Sequence, residues 1–309
     1  DDKFSGYKFD YIISNPPFGI PWKREEKEVR DEFKKGTAGR FAPGLPAKGD
    51  GQLLFMLNGL AKLKDDGQMA IIQNGSSLFN GDAGSGPSEI RRYLIENDWL
   101  DAIVQLPNNA FYNTPIATYI WIVMKNKPIT HQGKEQLIDA SACASSRRKN
   151  IGSKNVDITK ACRDLIIEAY GAYADGTYND TDENAIVVKS KVMDAIDLGY
   201  NKIVIQTPQL DEDGNIIMKK KKPVADKSKR DTENVPLAED IDVYFEREVI
   251  PYNPQAWIDK SKTKVGYEIP FTRAFYEYKQ VEPSDVIAAR IEEHEKSLMA
   301  KLHDLFGGE

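Results

Sequence analysis

Five consecutive residues, Ser14-Asn15-Pro16-Pro17-Phe18, combine groups that could act on a planar amine. The two proline rings fix the backbone and make the loop rigid, and because neither proline has an N–H their carbonyls are left as acceptors. The Asn15 carboxamide oxygen stands beside the Pro16 carbonyl, and Phe18 adds an aromatic face that could stack on a ring. Two such acceptors would bind both hydrogens of an exocyclic amino group. The nitrogen would be drawn toward tetrahedral geometry, and its lone pair, otherwise delocalised into the ring, would become available for attack. No strong base is required, because the product ammonium loses its proton readily. The arrangement suits in-line methyl transfer from a sulfonium donor with both partners held in place. A base in duplex DNA would first have to leave the stack. Asn-Pro-Pro also serves as a plain turn. The apolar run Phe9-Asp10-Tyr11-Ile12-Ile13 before it and the aromatic after it favour the chemical role.

The elements that must position this loop alternate in α/β fashion. Residues 9–14 have the β-branched and aromatic pattern of a buried strand, so the loop leaves a strand at its C-terminal end, where open α/β sheets bind ligands. Residues 18–51 are polar and rich in Gly and Pro, and read as one long loop. Helices are expected over 52–63 and 88–97, and strands over 68–72, 99–106 and 117–124, the last two as an antiparallel pair at a sheet edge. Farther on, the pattern predicts a short strand at 136–140 and a helix over 157–170. Residues 202–206 and 215–219 should form a hairpin around Asp211-Glu212-Asp213-Gly214. Helices follow over 237–250 and from 283 to about 306. The last carries a narrow stripe of Ile287, Ile291, Leu298, Leu302 and Leu305.

With these residues in view, Phe9 to Phe18 resembles the catalytic motif of amino-group DNA methyltransferases, the (Asn/Asp)-Pro-Pro-(Tyr/Phe) class. More narrowly, the chain resembles the modification subunit of type I restriction-modification systems, adenine-N6 DNA methyltransferases. Supporting stretches run through the chain in the family's order: Asp50-Gly51-Gln52-Leu53-Leu54-Phe55, Asn74-Gly75-Ser76-Ser77-Leu78-Phe79, Gly84 to Arg92, Phe111-Tyr112-Asn113-Thr114, Ile116 to Trp121 and Val265 to Arg273. Ser77 and Pro115 depart from the expected Pro and Gly. The resemblance implies the second half of a Rossmann-like S-adenosylmethionine-dependent methyltransferase sheet with an α+β C-terminal extension. It implies catalytic roles for Asn15, Pro16, Pro17 and Phe18, and a target-base pocket walled by Phe111, Tyr112 and Asn113. It also implies S-adenosylmethionine as cofactor, with DNA, a specificity subunit and a restriction subunit as partners. The corresponding organisation is residues 1–130 as the C-terminal half of the catalytic domain, 131–235 as an α+β extension with a β-hairpin, and 236–309 as a helical partner-docking region. The family's glycine-rich cofactor loop precedes the Asn-Pro-Pro-Phe strand, and nothing between Asp1 and Asp10 can supply it, so the chain reads as a C-terminal fragment whose cofactor residues are unknown. Gly84-Ser85-Gly86-Pro87 does not follow a strand directly and is rejected for that role. Two alternatives stay open: methylation of a protein glutamine amide, which uses the same constellation, and a non-catalytic docking module.

The remaining features bound the answer. Lys and Arg total 42 against 48 Asp and Glu, a net charge of −6 that excludes an overall basic nucleic-acid coat protein but not a local basic face. Arg147-Arg148-Lys149 and residues 219–222 are such local runs, though charge runs are more often solvated surface. The two cysteines, Cys143 and Cys162, have no paired spacing, so neither a disulfide framework nor a metal site is expected. His131, His294 and His303 stand near no nucleophile and receive no catalytic role. Asp211, Asp213 and Asn215 lack the closing glutamate of a calcium loop. Asp50 reads as a helix cap rather than a cofactor ligand. The polar start and the short apolar stretches predict a cytoplasmic protein.

Overall fold

A computed structural model describes residues 4, 6–112, 114–179, 186–278 and 282–306. Asp1–Phe275 form one compact unit and Tyr276–Glu309 a second. The first unit is built on a seven-stranded sheet in the order β1-β2-β4-β3-β5-β9-β8. Its strands are β1 (Phe9–Ser14), β2 (Leu63–Asn74), β3 (Leu100–Gln105), β4 (Thr118–Met124), β5 (Lys134–Asp139), β8 (Gly176–Asn179) and β9 (Val187–Asp194), while β6 (Ser145–Ile151) and β7 (Lys154–Asp157) form a separate hairpin. β1 runs parallel to β2 and β3 parallel to β5, whereas β4 is antiparallel to both of its neighbours, β2 and β3.

Helices cover this sheet because their apolar residues recur every three or four positions. α1 (Glu26–Phe33) and α2 (Gln52–Lys62) lie in the connection from β1 to β2. Leu53, Met56, Leu57 and Leu60 of α2 are buried with Met69 and Ile71 of β2. Gly59 lets the helix approach the sheet, since any Cβ there would strike the Met69 sulfur. α3 (Ser76–Phe79) and α4 (Gly86–Glu96) follow β2, with Pro87 in the first turn of α4 and Ile90, Leu94 and Ile95 facing the core. α5 (Lys160–Ala172) covers the far half of the sheet through Cys162, Leu165 and Ala169, against Val104, Ile138 and Val188. Both cysteines are free and buried.

A second, smaller sheet centres on β10 (Gly199–Gln206), flanked by β13 (Asp231–Pro236) and by β14 (Trp257–Ile258) with β15 (Lys264–Tyr267). Ile203, Ile205 and Val235 pack on Phe245 of α6 (Ile241–Glu248). Between β10 and β13 an excursion carries the short strands β11 (Met218–Lys219) and β12 (Lys222–Pro223). α7 (Phe271–Ala274) ends the first unit, and α8 (Ser284–Phe306) makes up most of the second. On α8, Ile291, Leu298, Leu302 and Leu305 of the expected stripe are exposed.

Several expectations change. The long loop over 18–51 contains α1, whose signal is its i,i+4 pairs Glu26–Arg30 and Lys27–Asp31 rather than an apolar period; only Val29 is buried. The β3–β4 pair is antiparallel but not at an edge, because β2 takes the other side of β4 and buries Trp121 completely. The turn at Asp211 to Asn215 exists, closed by the Asp211 N–H on the Asn215 carbonyl and a bridge between Leu210 and Ile216. Its expected strand over 202–206, however, pairs with β13, β14 and β15 instead. The boundary expected at residue 130 falls inside the sheet, since β5, β8 and β9 extend it.

The end of the sheet opposite the Asn15 loop is occupied by a buried polar cluster. Lys127 and Glu135 are fully buried; the ammonium donates to Asp98 Oδ1 at 2.8 Å and to the Lys134 carbonyl at 2.7 Å, and lies 3.8 Å from Glu135. His131 stacks on Tyr173, their ring centroids 3.4 Å apart, and meets Asp101, which also accepts the Tyr170 hydroxyl. Neither Glu135 oxygen has a hydrogen-bond partner, and burial pushes its carboxyl up to about 8 against the pull of Lys127. The folded state therefore keeps a proton that the unfolded chain loses from about pH 4.5, so this group removes stability as pH rises toward 8. Relative to the parent, Glu135→Gln should gain stability by roughly 1.4 kcal/mol per pH unit across that window and no further above it, as measured by urea unfolding at several pH values.

Candidate active site

The strand register sets the geometry of the candidate site. Ser14 lies opposite Ile71, Asn74 opposite Thr118, and Gln105 opposite both Tyr119 and Asp139. The parallel strands β1, β2, β3 and β5 thus end at one edge of the sheet. Asn15-Pro16-Pro17-Phe18, residues 75–80, residues 106–117 and residues 140–144 all leave from that edge. β1 and β3 are three interstrand spacings apart, about 14 Å. Asn15 and Pro17 are exposed, Pro16 is buried and Phe18 is half-buried. Among the described residues nothing hydrogen-bonds to the Asn15 carboxamide, so its oxygen is open to a ligand. One face of β1 is also open, with Tyr11 and Ile13 at 74% and 91% exposure.

A polar network fixes the neighbouring loop. The Gln52 amide is buried; its nitrogen lies within hydrogen-bond distance of Asn74 Oδ1 (2.7 Å), Asp50 Oδ2 (3.0 Å) and Ser76 Oγ (2.5 Å), and its oxygen accepts the Asn74 N–H. Asp50 stands one residue before the helix cap, Gly51, and accepts the Gln52 backbone N–H at 3.3 Å. Both residues therefore tie the start of α2 to the end of β2. Ser77, found where Pro was expected, donates its hydroxyl to the Asn74 carbonyl at 2.8 Å. Asp50, Gln52, Ser76 and Ser77, with Asn80 and Pro87, line a cavity of about 400 Å³ on this edge.

Arg91 carries the most consequential contact that the sequence did not disclose. It is fully buried on α4 and makes no ion pair among the described residues, with Glu268 acting on it only from farther off. Its Nε donates to the Tyr267 carbonyl at 2.6 Å, and its terminal nitrogen to the Ser77 and Asn80 carbonyls at 3.1 and 3.0 Å. Burial pushes the guanidinium down to about 10. Ser88 Oγ accepts the Tyr267 N–H, the Ile269 N–H donates to the Leu78 carbonyl, and Phe271 meets Tyr119 edge-on at 5.3 Å. The late stretch 265–273 is thus part of the support beneath the loop after β2. A charged residue at a core position of an otherwise apolar helix face was the available signal.

Of the expected base-pocket residues, Phe111 turns inward onto the cluster containing Val104 and Leu106, Tyr112 is exposed, and Asn113 lies outside the described residues. Gly84 and Gly86 do not form an open cradle: a Cβ on Gly86 would strike the Leu45 backbone, so that glycine serves internal packing. The described residues therefore do not by themselves fit S-adenosylmethionine. Among them, no cluster of His, Cys, Asp and Glu is arranged to hold a metal, and no helix is long and apolar enough to cross a membrane.

The sheet, with its antiparallel strand inserted between parallel ones, is that of the expected α/β methyltransferase class. The model of the N-6 DNA Methylase family matches residues 1–211, and the chain belongs to that family. It is similar to the methylase subunit of the type I restriction enzyme MjaIX of Methanocaldococcus jannaschii, with 30% identity over 49% of this chain and 27% of the relative. The MpnII methylase subunit of Mycoplasma pneumoniae is 34% identical over 38% of this chain and 21% of its own length. Among solved structures, the methyltransferase subunit of a type I restriction-modification system from Streptococcus thermophilus aligns at a TM-score of 0.50 and 26% identity, covering 64% of this chain and 37% of that one. The matches to the two methylase subunits thus span only about a quarter of those relatives' length.

Arg91→Ala should cost about 3 kcal/mol or more, because it leaves the Tyr267 and Ser77 carbonyls buried without their donor and frees the part-buried Asn80 carbonyl. Arg91→Lys should recover little of this, since one ammonium cannot bridge the Tyr267 carbonyl and the Ser77–Asn80 pair together. Chemical denaturation of the two variants against the parent chain checks both expectations.

Proposed function

We propose that the protein carrying this chain transfers a methyl group from S-adenosylmethionine to adenine N6 in DNA, as the modification subunit of a restriction-modification system. The observation that carries this reading is the open Asn15-Pro16-Pro17-Phe18 loop at the C-terminal end of β1, in a chain of the N-6 DNA Methylase family. S-adenosylmethionine, when bound, supplies the electrophilic methyl group. The Asn15 oxygen and the Pro16 carbonyl accept the two amino hydrogens of an extruded adenine, Pro17 holds the loop rigid, and Phe18 faces the ring. Tyr112, exposed on the loop after β3, and the half-buried Phe111 beside it contribute to the wall of the base pocket.

The names of the relatives, methylase subunits of type I restriction enzymes, favour DNA over a protein glutamine and favour catalysis over docking alone. On this reading a separate specificity subunit reads the DNA, a restriction subunit completes the complex, and the protein works in the cytoplasm. The exposed stripe of α8 is the contact for the specificity subunit. Deleting residues 286–309 should abolish co-purification with that subunit and leave the unfolding midpoint of the remainder unchanged. Persistent co-purification would assign the stripe elsewhere.

In the assembled enzyme, Asn15→Ala should lower methyl transfer by at least about a hundredfold, the scale of losing one preorganised polar group at a reacting centre. Duplex affinity should stay within about twofold, because Asn15 acts on the amine and not on the backbone. Labelled-methyl incorporation and fluorescence anisotropy on the same preparations separate the two effects. Near-parental turnover by the variant would overturn the role given to Asn15.

A further inference from the structure

The β6–β7 hairpin has no part in the chemistry described above, yet it stands at the same edge of the sheet. β5 runs parallel to β3, so the chain leaves Asp139 on the Asn15 side and enters the hairpin at Ser145. Residues 145–157 hold four basic side chains, Arg147, Arg148, Lys149 and Lys154, against one acid, Asp157, in a chain whose net charge is −6. The register slips between Ser146 and Ile151, so residues 147–150 bulge from the ladder. Arg147 holds that bulge from within: its guanidinium contacts both Asp157 oxygens, at 2.5 and 2.6 Å, and donates to the Lys149 carbonyl at 3.3 Å. Asp157 is thereby committed to Arg147 and, at 3.2 Å, to Lys154, which together hold its carboxyl below the usual range. Arg148 and Lys149 are exposed and make no ion pair among the described residues.

The hairpin is also seated on the loop that carries Tyr112. The Ser153 N–H donates to the Tyr112 carbonyl at 2.8 Å, the Asn155 N–H to the Asn109 carbonyl at 3.3 Å, and Lys154 Nζ to the Ala110 carbonyl at 3.1 Å. Gly152, with φ +59°, makes this possible, since a Cβ there would lie 2.6 Å from the Tyr112 oxygen. Two free cations are therefore held in fixed relation to a loop at the edge where Asn15 is exposed. Duplex DNA presents one phosphate charge per about 1.7 Å of its axis, so a duplex brought to this edge meets these cations through its backbone.

We infer that the β6–β7 hairpin clamps the sugar-phosphate backbone of duplex DNA beside the target base, with Arg148 and Lys149 as the phosphate contacts. This deepens the methyltransferase reading and rests on it for the choice of DNA. The test is anisotropy of a labelled duplex over a salt series, using the full chain in its assembled complex. Arg148→Ala/Lys149→Ala should weaken binding about tenfold at about 0.1 M salt and reduce the log–log salt slope by about 2. Arg148→Lys/Lys149→Arg should restore the slope, and Lys220→Ala/Lys221→Ala, on the β11–β12 turn, should leave it unchanged. Parental affinity and slope in the double alanine variant would overturn the inference, as would failure of the parent to bind duplex. If methyl transfer to adenine is absent while hairpin-dependent duplex binding persists, the catalytic reading falls and the clamp stands. If transfer occurs and the double variant binds as the parent does, the clamp alone falls.

Discussion

The parallel pairing of β1 on β2, with Ser14 opposite Ile71, determines where everything else in the first unit can act. A parallel neighbour requires a crossover, which α2 provides, and it makes both strands end on the same side. β4 then runs back between β2 and β3, so β3 points the same way as β1, and β5 follows β3. Four loops are delivered to one edge by hydrogen-bond register alone. Had β4 paired only with β3, as a terminal hairpin, nothing would hold the two parallel pairs in one sheet. Its Trp121 is completely buried in the core beneath the covering helices, and that burial enforces the register, because a slip of one residue would turn the ring to the other face.

Register brings the loops together, and buried polar bonds then fix their shape. Gln52 binds the end of β2 to the start of α2, and Arg91 binds the next loop to a segment from the end of the unit. Such groups are costly to bury and are stable only when their hydrogen bonds are made. They hold residues 74–80 in one arrangement where apolar packing alone would permit several. Asn15, by contrast, is left exposed, and the Arg148–Lys149 bulge keeps its charges uncommitted. A supported interior beneath an unpartnered rim is the physical difference between the residues that build this edge and those left open to solvent on it.

What was legible in the sequence follows from what is local. The β-branched run into two prolines marked β1 and its end, and the helical periods marked α2, α4 and α5, because strand ends and amphipathic stripes are written within about ten residues. The partner of a strand is not local. β10 alternates properly beside a genuine turn at Asp211 to Asn215, yet it pairs with β13, whose charged residues Asp231 and Glu233 conceal a strand exposed along most of its length. α1 was hidden because ion pairs rather than apolar residues define its surface. For the candidate site, the motif from Asn15 to Phe18 could be read directly. The role of Arg91 could not, since its partners lie at 77, 80 and 267 and are backbone carbonyls, which every residue possesses.

On the proposed function, the β1 loop activates an exocyclic amine on a base taken out of DNA. The most direct measurement is the identity of the methylated nucleoside. Duplex DNA treated with the assembled enzyme and labelled S-adenosylmethionine would be digested to nucleosides and resolved by mass spectrometry. The label should reside in N6-methyladenine. Label on a ring carbon, as in 5-methylcytosine, would contradict it, because two hydrogen-bond acceptors and an aromatic ring have no means of activating carbon.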